Sequence, residues 1–572
     1  MRTFAISLAI AATFAATAPQ PVLADGVSGS YLAARSALRT GDFTAAADYF
    51  GQALVRDAGN AEIMEQLLRA RLSLGQAEAA QPVATLLEES GHRSQLAHML
   101  RIPALLRDGA FDDVIARIDG DRGVGRLVDG LVRGWAELGA GRVAEALSAF
   151  DIVAEERGLR GFALYHKALA LASVGDYEAA EEIYEGDAAV VVVATRRGAM
   201  ARLEILSQLG READALTFLE DSFGTDLDPE LKAMQAALVA GETLPFTHVR
   251  SPQDGAAEVF FAIASALDRE AEPEYTLLYA RLAEYLRPDH VDAVLLSARL
   301  LESMGRYQLA SKAYRQVPET SDAYHAAELG RADSLRKAGK TDAAIEVLET
   351  LAHSHGELPL VHATLGDLLA VQEQYGEAVA AYNRALSLYS EQTERQWFLH
   401  YALAKSEERR GNWSAAEAAF RRALELTPGQ PQVLNYLGYS LVERQEKLDE
   451  ALAMIEEAVA ARPDAGYIVD SLGWALFRLG RYDEAVGHLE HAAELMPVDP
   501  VVNDHLGDVL WAVGRTMEAE FQWNRALSFV PEDFNPEDID PERIRRKLEV
   551  GLDAVLRQEG ADPLEVAQGG GD

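Results

Sequence analysis

Residues 464–497 read DAGYIVDSLGWALFRLGRYDEAVGHLEHAAELMP. Val469, Leu472, Gly473 and Leu476 follow one another at the i, i+3, i+4, i+7 spacing, and Ala485, Leu489 and Ala492 follow at i, i+4, i+7 after an interruption at Gly480. Each set draws a single apolar stripe along a helix. The stretch therefore predicts two amphipathic helices joined by a tight turn. Gly473, Ala485 and Ala492 are small enough to let the two helices approach closely. Gly480 supplies backbone freedom at a helix end, and Tyr482 fills the space beneath the turn. Pro497 stops the second helix before the next unit begins.

The same phrase recurs along the chain, as Gly41-Asp42-Phe43, Gly175-Asp176-Tyr177, Gly305-Arg306-Tyr307 and Gly411-Asn412-Trp413. Turn positions fall at Gly41, Gly75, Gly109, Gly141, Gly175 and Gly210, and again at Gly305, Gly339, Glu373, Gly411, Gln445, Gly480 and Gly514. Seven of the intervals are 34 residues, and Pro428, Pro463, Pro497 and Pro531 close successive units. One hairpin cannot bury its own stripe, so neighbours must stack. The period and pattern resemble the tetratricopeptide repeat family from about Ser30 to Pro531, most strongly between Gln396 and Pro531. That resemblance implies an all-α, right-handed superhelical solenoid of antiparallel helix pairs with a concave, ligand-holding face.

The array is interrupted between Gly241 and Gly255, where Pro245, Pro252 and the loss of helical period predict a linker or a long loop replacing a second helix. Phe260, Ile263, Ala264 and Leu267 restart a helix, whose partner ends at Pro288. The expected organisation is a signal peptide over 1–24, a degenerate array over 25–241, a linker over 242–255, a second array over 256–530, a capping region over 531–559 and a disordered tail over 560–572. Val190–Val193 favours a strand locally and is read as helix overridden by its neighbours. In the cap, Asp540 can N-cap a helix with Pro541 at its first position, and Ile544, Leu548, Leu552 and Val555 form a sealing stripe.

Composition narrows the function classes. The net charge is −38 over 572 residues, which disfavours nucleic acid and anionic lipid surfaces as partners. There is no cysteine, so disulfides, thiolate metal sites and cysteine nucleophiles are excluded. Arg2, the apolar run from Phe4 to Ala16 and Val22-Leu23-Ala24 read as an export signal cleaved after Ala24, which gives a periplasmic or secreted location. No later stretch is long and apolar enough to span a bilayer.

The chain carries neither a phosphate-cradling loop nor a nucleophile elbow. His488 with His491, and His353 with His355 and His362, are the candidate metal clusters, but they lack the His-Glu-x-x-His spacing of a catalytic zinc site. No catalytic residue, cofactor or metal is therefore expected. In the resembled family the groove is lined by first-helix residues that do not face the second helix. Carried over by register, one position holds Asn435, Asp470 and Asp504, a second Tyr439, Trp474 and Asp508, and a third Val442, Phe477 and Trp511 with Arg478 alongside. Such aromatics anchor peptides and such carboxylates bond amides or basic groups. The competing reading packs Trp474 and Trp511 between adjacent repeats. The expected function is a protein-holding periplasmic scaffold or adaptor. A substrate-presenting adaptor for an envelope protease, a cytoplasmic co-chaperone and a metal-dependent enzyme are the alternatives.

Overall fold

The computed structural model describes residues 27–186, 195–225, 227–531, 534 and 539–560. The signal segment, Val190–Val193 and residues 561–572 of the expected tail lie outside them. Among the described residues every regular element is a helix, so the all-α class and the helix-pair array stand. The chain divides into two compact units, 1–347 and 348–572.

The first unit contains α1 (Val27–Arg39), α2 (Phe43–Arg56), α3 (Ala61–Ser73), α4 (Ala77–Glu89), α5 (Gln95–Arg107), α6 (Phe111–Asp119), α7 (Arg126–Gly139), α8 (Val143–Glu155), α9 (Arg160–Ser173), α10 (Tyr177–Glu185), α11 (Arg196–Gln208), α12 (Glu212–Phe223), α13 (Pro229–Val239), α14 (Pro252–Leu267), α15 (Pro273–Leu286), α16 (Val291–Ser303), α17 (Tyr307–Tyr314) and α18 (Tyr324–Lys337). The division falls inside α19 (Thr341–Ser354). The second unit holds α20 (Pro359–Val371), α21 (Tyr375–Ser387), α22 (Trp397–Arg409), α23 (Trp413–Leu426), α24 (Pro431–Glu443), α25 (Leu448–Ala461), α26 (Gly466–Arg478), α27 (Tyr482–Leu495), α28 (Pro500–Ala512), α29 (Thr516–Phe529), α30 (Pro541–Val550) and α31 (Leu552–Gln558).

The turn chemistry obeys the sequence. Gly480 adopts φ 75° between α26 and α27, and an added Cβ on Gly473 would lie 2.5 Å from Leu489, so the close approach of the pair depends on that glycine. Two of the predicted turn positions reach the same left-handed backbone without glycine, Glu373 (φ 59°) and Gln445 (φ 56°). Both side chains are exposed. A left-handed non-glycine residue is strained by about 1–2 kcal/mol, partly offset in glycine by its larger unfolded-state entropy. Glu373→Gly and Gln445→Gly are each expected to stabilise the second unit by roughly 0.5–1 kcal/mol, read as a rise in the thermal denaturation midpoint.

The break in the repeats at 242–255 does not coincide with the division into compact units. Residues 242–251 form an irregular segment, but it is pinned to α11: the Leu244 amide donates to Ser207 Oγ (2.8 Å), and the Thr247 amide and hydroxyl donate to the Glu204 carboxylate (2.9 and 2.7 Å). Pro252 opens α14 instead of ending a linker, because Ser251 caps the helix by accepting the Asp254 amide (3.1 Å) and proline suits the first helical position.

Beyond the break the chain folds back on itself. α14 packs on α5, α7 and α9, and α15 on α3, α4 and α5. The hairpin thus lies against the first helices of the N-terminal pairs, on the face a repeat array would otherwise leave open. Its burial shows this directly. Residues 254–260 and 276–283 are buried without interruption, the longest such runs among the described helices, so over those turns the two helices are covered on all sides, while residues 265 and 266 of α14 stay exposed.

Candidate partner-binding groove

In the second unit the first helices of successive pairs are α20, α22, α24, α26 and α28. Their equivalent positions carry the residues mapped by register. Asn435, Asp470, Phe477 and Asp508 are buried; Tyr439, Trp474, Asp504 and Trp511 are half-buried; Arg478 is at the surface. The structure gathers seven of these nine into two clusters, leaving Asn435 and Tyr439 outside both.

The first cluster bridges α24, α26 and α28. The Trp474 ring stacks on His505 at 4.0 Å and on Phe477 at 4.9 Å between centroids. Trp474 Nε1 donates to Glu443 (2.8 Å), which also receives Arg478 (3.0 Å). On the other side His505 Nδ1 lies 3.0 Å from the Asp470 carboxylate. Burial works against a charged His505 ring, but Asp470, with Asp504 and Asp508 near it, outweighs burial and holds the imidazole pKa above its usual value. The carboxylates thus favour the charged form of the ring that stacks on the Trp474 face. Trp474 therefore packs between adjacent repeats while staying half-exposed. His505 and Glu443 escape a reading by register because their roles come from the neighbouring repeat. Glu443, one residue past the Val442 position, was the available signal.

The second cluster is covered by the C-terminal helices. Lys547 of α30 is buried, with Nζ 2.9 Å from both Asp504 oxygens and 2.8 Å from Asp508 Oδ2. Trp523 Nε1 donates to Asp508 Oδ1 (2.9 Å), and Trp511 Nε1 donates to Asp553 Oδ2 (3.0 Å). Burial raises the Asp504 carboxyl despite the pull of Lys547. Asp504, Asp508 and Trp511 are thus the seat of the cap. Ile544, Leu552 and Val555 are buried beneath it as the stripe predicts, and Leu548 is half-buried. The stripe is broken at Gly551, whose φ is 81° and whose added Cβ would meet the Trp511 ring at 2.6 Å.

A more exposed set of residues lies at other positions on the same first helices. Leu360, Phe398 and Tyr467 occupy one register position, three residues before that of Asp470, and are 60, 47 and 44% exposed; exposed Gln432 holds the same position on α24, between Phe398 and Tyr467. Beside them Tyr401 meets Tyr436 edge-on at 5.8 Å, and Lys405 Nζ sits 5.6 Å from the centre of each ring. A cavity of about 390 Å³ opens here, walled by Asp367, Val371, Tyr375, Tyr401 and Lys405. Tyr382, at its edge, donates to Asp367 (2.7 Å). These residues carry binding surface rather than bond-making chemistry: aromatic faces, aliphatic edges and isolated charges.

The candidate metal histidines do not converge. His491 lies 3.4 Å from Glu494, His353 Nδ1 approaches the Glu349 carbonyl (2.6 Å), His355 meets Ser354 (2.9 Å) and His362 meets the Gly356 carbonyl (3.0 Å). Among the described residues no group of three His, Asp or Glu side chains is placed to hold a metal.

A family model described as tetratricopeptide repeat matches residues 295–530, and a second of the same description matches 31–91 and 131–189. No curated protein matches the sequence. Similar solved structures include the APC/C hetero-tetramer Cut9–Hcn1 (15% identity, 92% of this chain and 96% of that one, TM-score 0.37). A second is MamA from Desulfovibrio magneticus RS-1, residues 41 to the end (21% identity, 30% and 96%, TM-score 0.27). A third is the C-terminal part of a TPR repeat-containing protein from Cytophaga hutchinsonii (16% identity, 43% and 97%, TM-score 0.33).

Proposed function

The chain belongs to the tetratricopeptide-repeat family, and from that premise we propose that it is an exported scaffold or adaptor that holds envelope proteins on the open groove of its second unit. Repeat arrays of this family are protein-binding scaffolds. The observation that carries the finer reading is the row of exposed Leu360, Phe398 and Tyr467 on one register of the first helices, next to the Tyr401–Tyr436–Lys405 cluster. Large apolar side chains left in water at a repeated position, rimmed by charge, mark a binding surface. The location rests on the amino-terminal signal pattern. No described helix is long and apolar enough to cross a membrane. The reading assigns the chain no reaction of its own.

Two measurements test this. Fractionation of producing cells, with N-terminal sequencing, is expected to return a periplasmic or secreted chain starting at Asp25. A cytoplasmic chain that keeps residues 1–24 contradicts the location and favours the co-chaperone alternative. Affinity capture from an envelope extract is expected to lose its bound protein at least tenfold in Phe398→Ala/Tyr467→Ala. The circular-dichroism helical signal of that variant should be unchanged, because both side chains are about half exposed. Undiminished capture removes the groove from the account.

A further inference from the structure

The folded-back hairpin does not cover the whole inner face of the first unit. At the end formed by α1 and α3 it leaves a cavity of about 650 Å³, closed on one side by Glu274 in the first turn of α15. Three arginines line it, Arg35 and Arg39 from α1 and Arg69 from α3, together with Glu62 of α3, whose carboxylate accepts from Gln66 Nε2 (3.0 Å) and makes no ion pair with them. Elsewhere in this acidic chain many arginines are matched to carboxylates, as in Arg421 with Glu417 and Glu450, or Arg211 with Asp214 and Glu185. The three arginines of the cavity form no ion pair with any described residue, and Arg35 only leans on the Tyr31 ring, 5.9 Å from its centre. Two buried atoms in the same cavity also lack partners, Arg69 Nε and Glu274 Oε1. They do not satisfy each other.

We propose that this mouth is a binding site for an acidic peptide segment of a partner protein. Unpaired guanidinium groups converging on a cavity call for carboxylates, which they hold through charge-assisted and often bidentate hydrogen bonds. The orphaned Glu274 oxygen calls for a donor at the same time. A peptide supplies both, its Asp or Glu side chains to the arginines and a backbone N–H to Glu274. An inorganic anion supplies acceptors only and would meet Glu274 with repulsion. Leu32, 65% exposed at the rim, adds apolar contact for the peptide chain. Nucleic acid is disfavoured because a long polyanion would have to run over the acidic surface beyond the cavity. The site is separate from the groove of the second unit and does not depend on it.

The test is fluorescence polarisation with the mature full-length chain and a labelled hexaglutamate peptide, with hexaglutamine and inorganic tripolyphosphate as controls. Hexaglutamate is expected to bind, hexaglutamine at least tenfold more weakly, and binding should fall as salt rises. Arg35→Glu/Arg39→Glu, two exposed positions, should weaken hexaglutamate at least tenfold with no change in helicity or denaturation midpoint. Glu274→Ala should weaken hexaglutamate while leaving tripolyphosphate binding the same or tighter. Phe398→Ala/Tyr467→Ala should leave hexaglutamate binding intact, which separates this site from the groove. Equal binding of hexaglutamate and hexaglutamine, or full affinity in the Arg35/Arg39 variant, overturns the proposal. So does tripolyphosphate binding as tightly as the peptide with no effect of Glu274→Ala.

Discussion

Gly255→Leu is expected to disrupt the cooperative fold of the first unit. Gly255 lies in the first turns of α14, and a Cβ added there would overlap the Trp135 indole on α7. Neither side can give way. Trp135 is fully buried, packs edge-on against Phe150 (5.8 Å) and donates Nε1 to His166 Nδ1 (3.2 Å). Burial lowers the His166 pKa to about 4, so at neutral pH that ring stays uncharged and accepts the bond. Overpacking of a closed core costs about 1–3 kcal/mol and sometimes more. Here it also pries away a helix that covers α5, α7 and α9. Trp135→Ala should cost about 3–5 kcal/mol by the opposite route, an unfilled cavity. The double variant Gly255→Leu/Trp135→Ala should recover part of the loss, since the leucine enters the space the indole left. Chemical denaturation of the three variants measures this. A neutral Gly255→Leu would mean that α14 does not dock on α7 at all, and that residues 252–286 merely begin a separate array.

Arg197→Met should be at least as damaging, and its pH dependence should run opposite to that of the native chain. Glu258 of α14 is buried and held by Arg197 of α11 (2.8 Å), His290 (3.1 Å) and the Tyr165 hydroxyl (2.8 Å); Arg197 also pairs with Asp292 (2.6 Å). Burial alone would push the Glu258 carboxyl up, but Arg197 and then His290 hold it well below its usual value, and Asp292 is lowered by the same guanidinium. Burial, then Arg197, lowers His290, so Arg197 carries most of the compensating charge. Removing one partner of a buried pair costs about 3–5 kcal/mol, because the other charge stays behind. In the native chain the carboxyl is depressed, so its contribution is present above the unfolded carboxylate value and is lost as pH falls through the folded one. In Arg197→Met burial acts on Glu258 without its main counter-charge, its folded pKa rises above the unfolded value, and stability should improve as pH falls from 7 toward 5. Arg197→Met/Glu258→Gln should recover most of the loss at pH 7, since the amide oxygen still accepts from Tyr165. A pH series of denaturation midpoints on the native chain and the two variants checks the sign. An Arg197→Met profile parallel to the native one contradicts this account.

The helix pairs were legible because their signals are local. Stripe, turn and stop occupy a few tens of consecutive residues, and repetition averages out the degenerate copies. The fold-back was not legible as such, because nothing near Gly255 names Trp135 as its contact. One sign was present. Gly255-Ala256-Ala257 with Val259, Phe260, Ile263 and Ala264 is apolar around the whole helix, which calls for cover on every face. Register aligned equivalent positions on the first helices, but it could not give their exposure. Trp511 and Asp508 share positions with Phe477 and Trp474, yet lie under α30 and α31 because Lys547 reaches back to Asp504 and Asp508. The apolar stripe of that cap is plain in the sequence. Its buried lysine could have been anticipated from two aspartates four residues apart on one helix face, a pair that cannot be buried without a cation.

Site-specific photocrosslinking in producing cells tests the central claim most directly. A photoreactive residue is placed in turn at Phe398 and Tyr467 in the open groove, and at Val55 and Ile152, exposed apolar positions on second helices of the first unit. Discrete protein adducts are predicted at 398 and 467 and none at 55 or 152. No adducts at the groove positions, or adducts equally strong at the two outer ones, would contradict the claim that this chain works by holding proteins on the open face of its second unit.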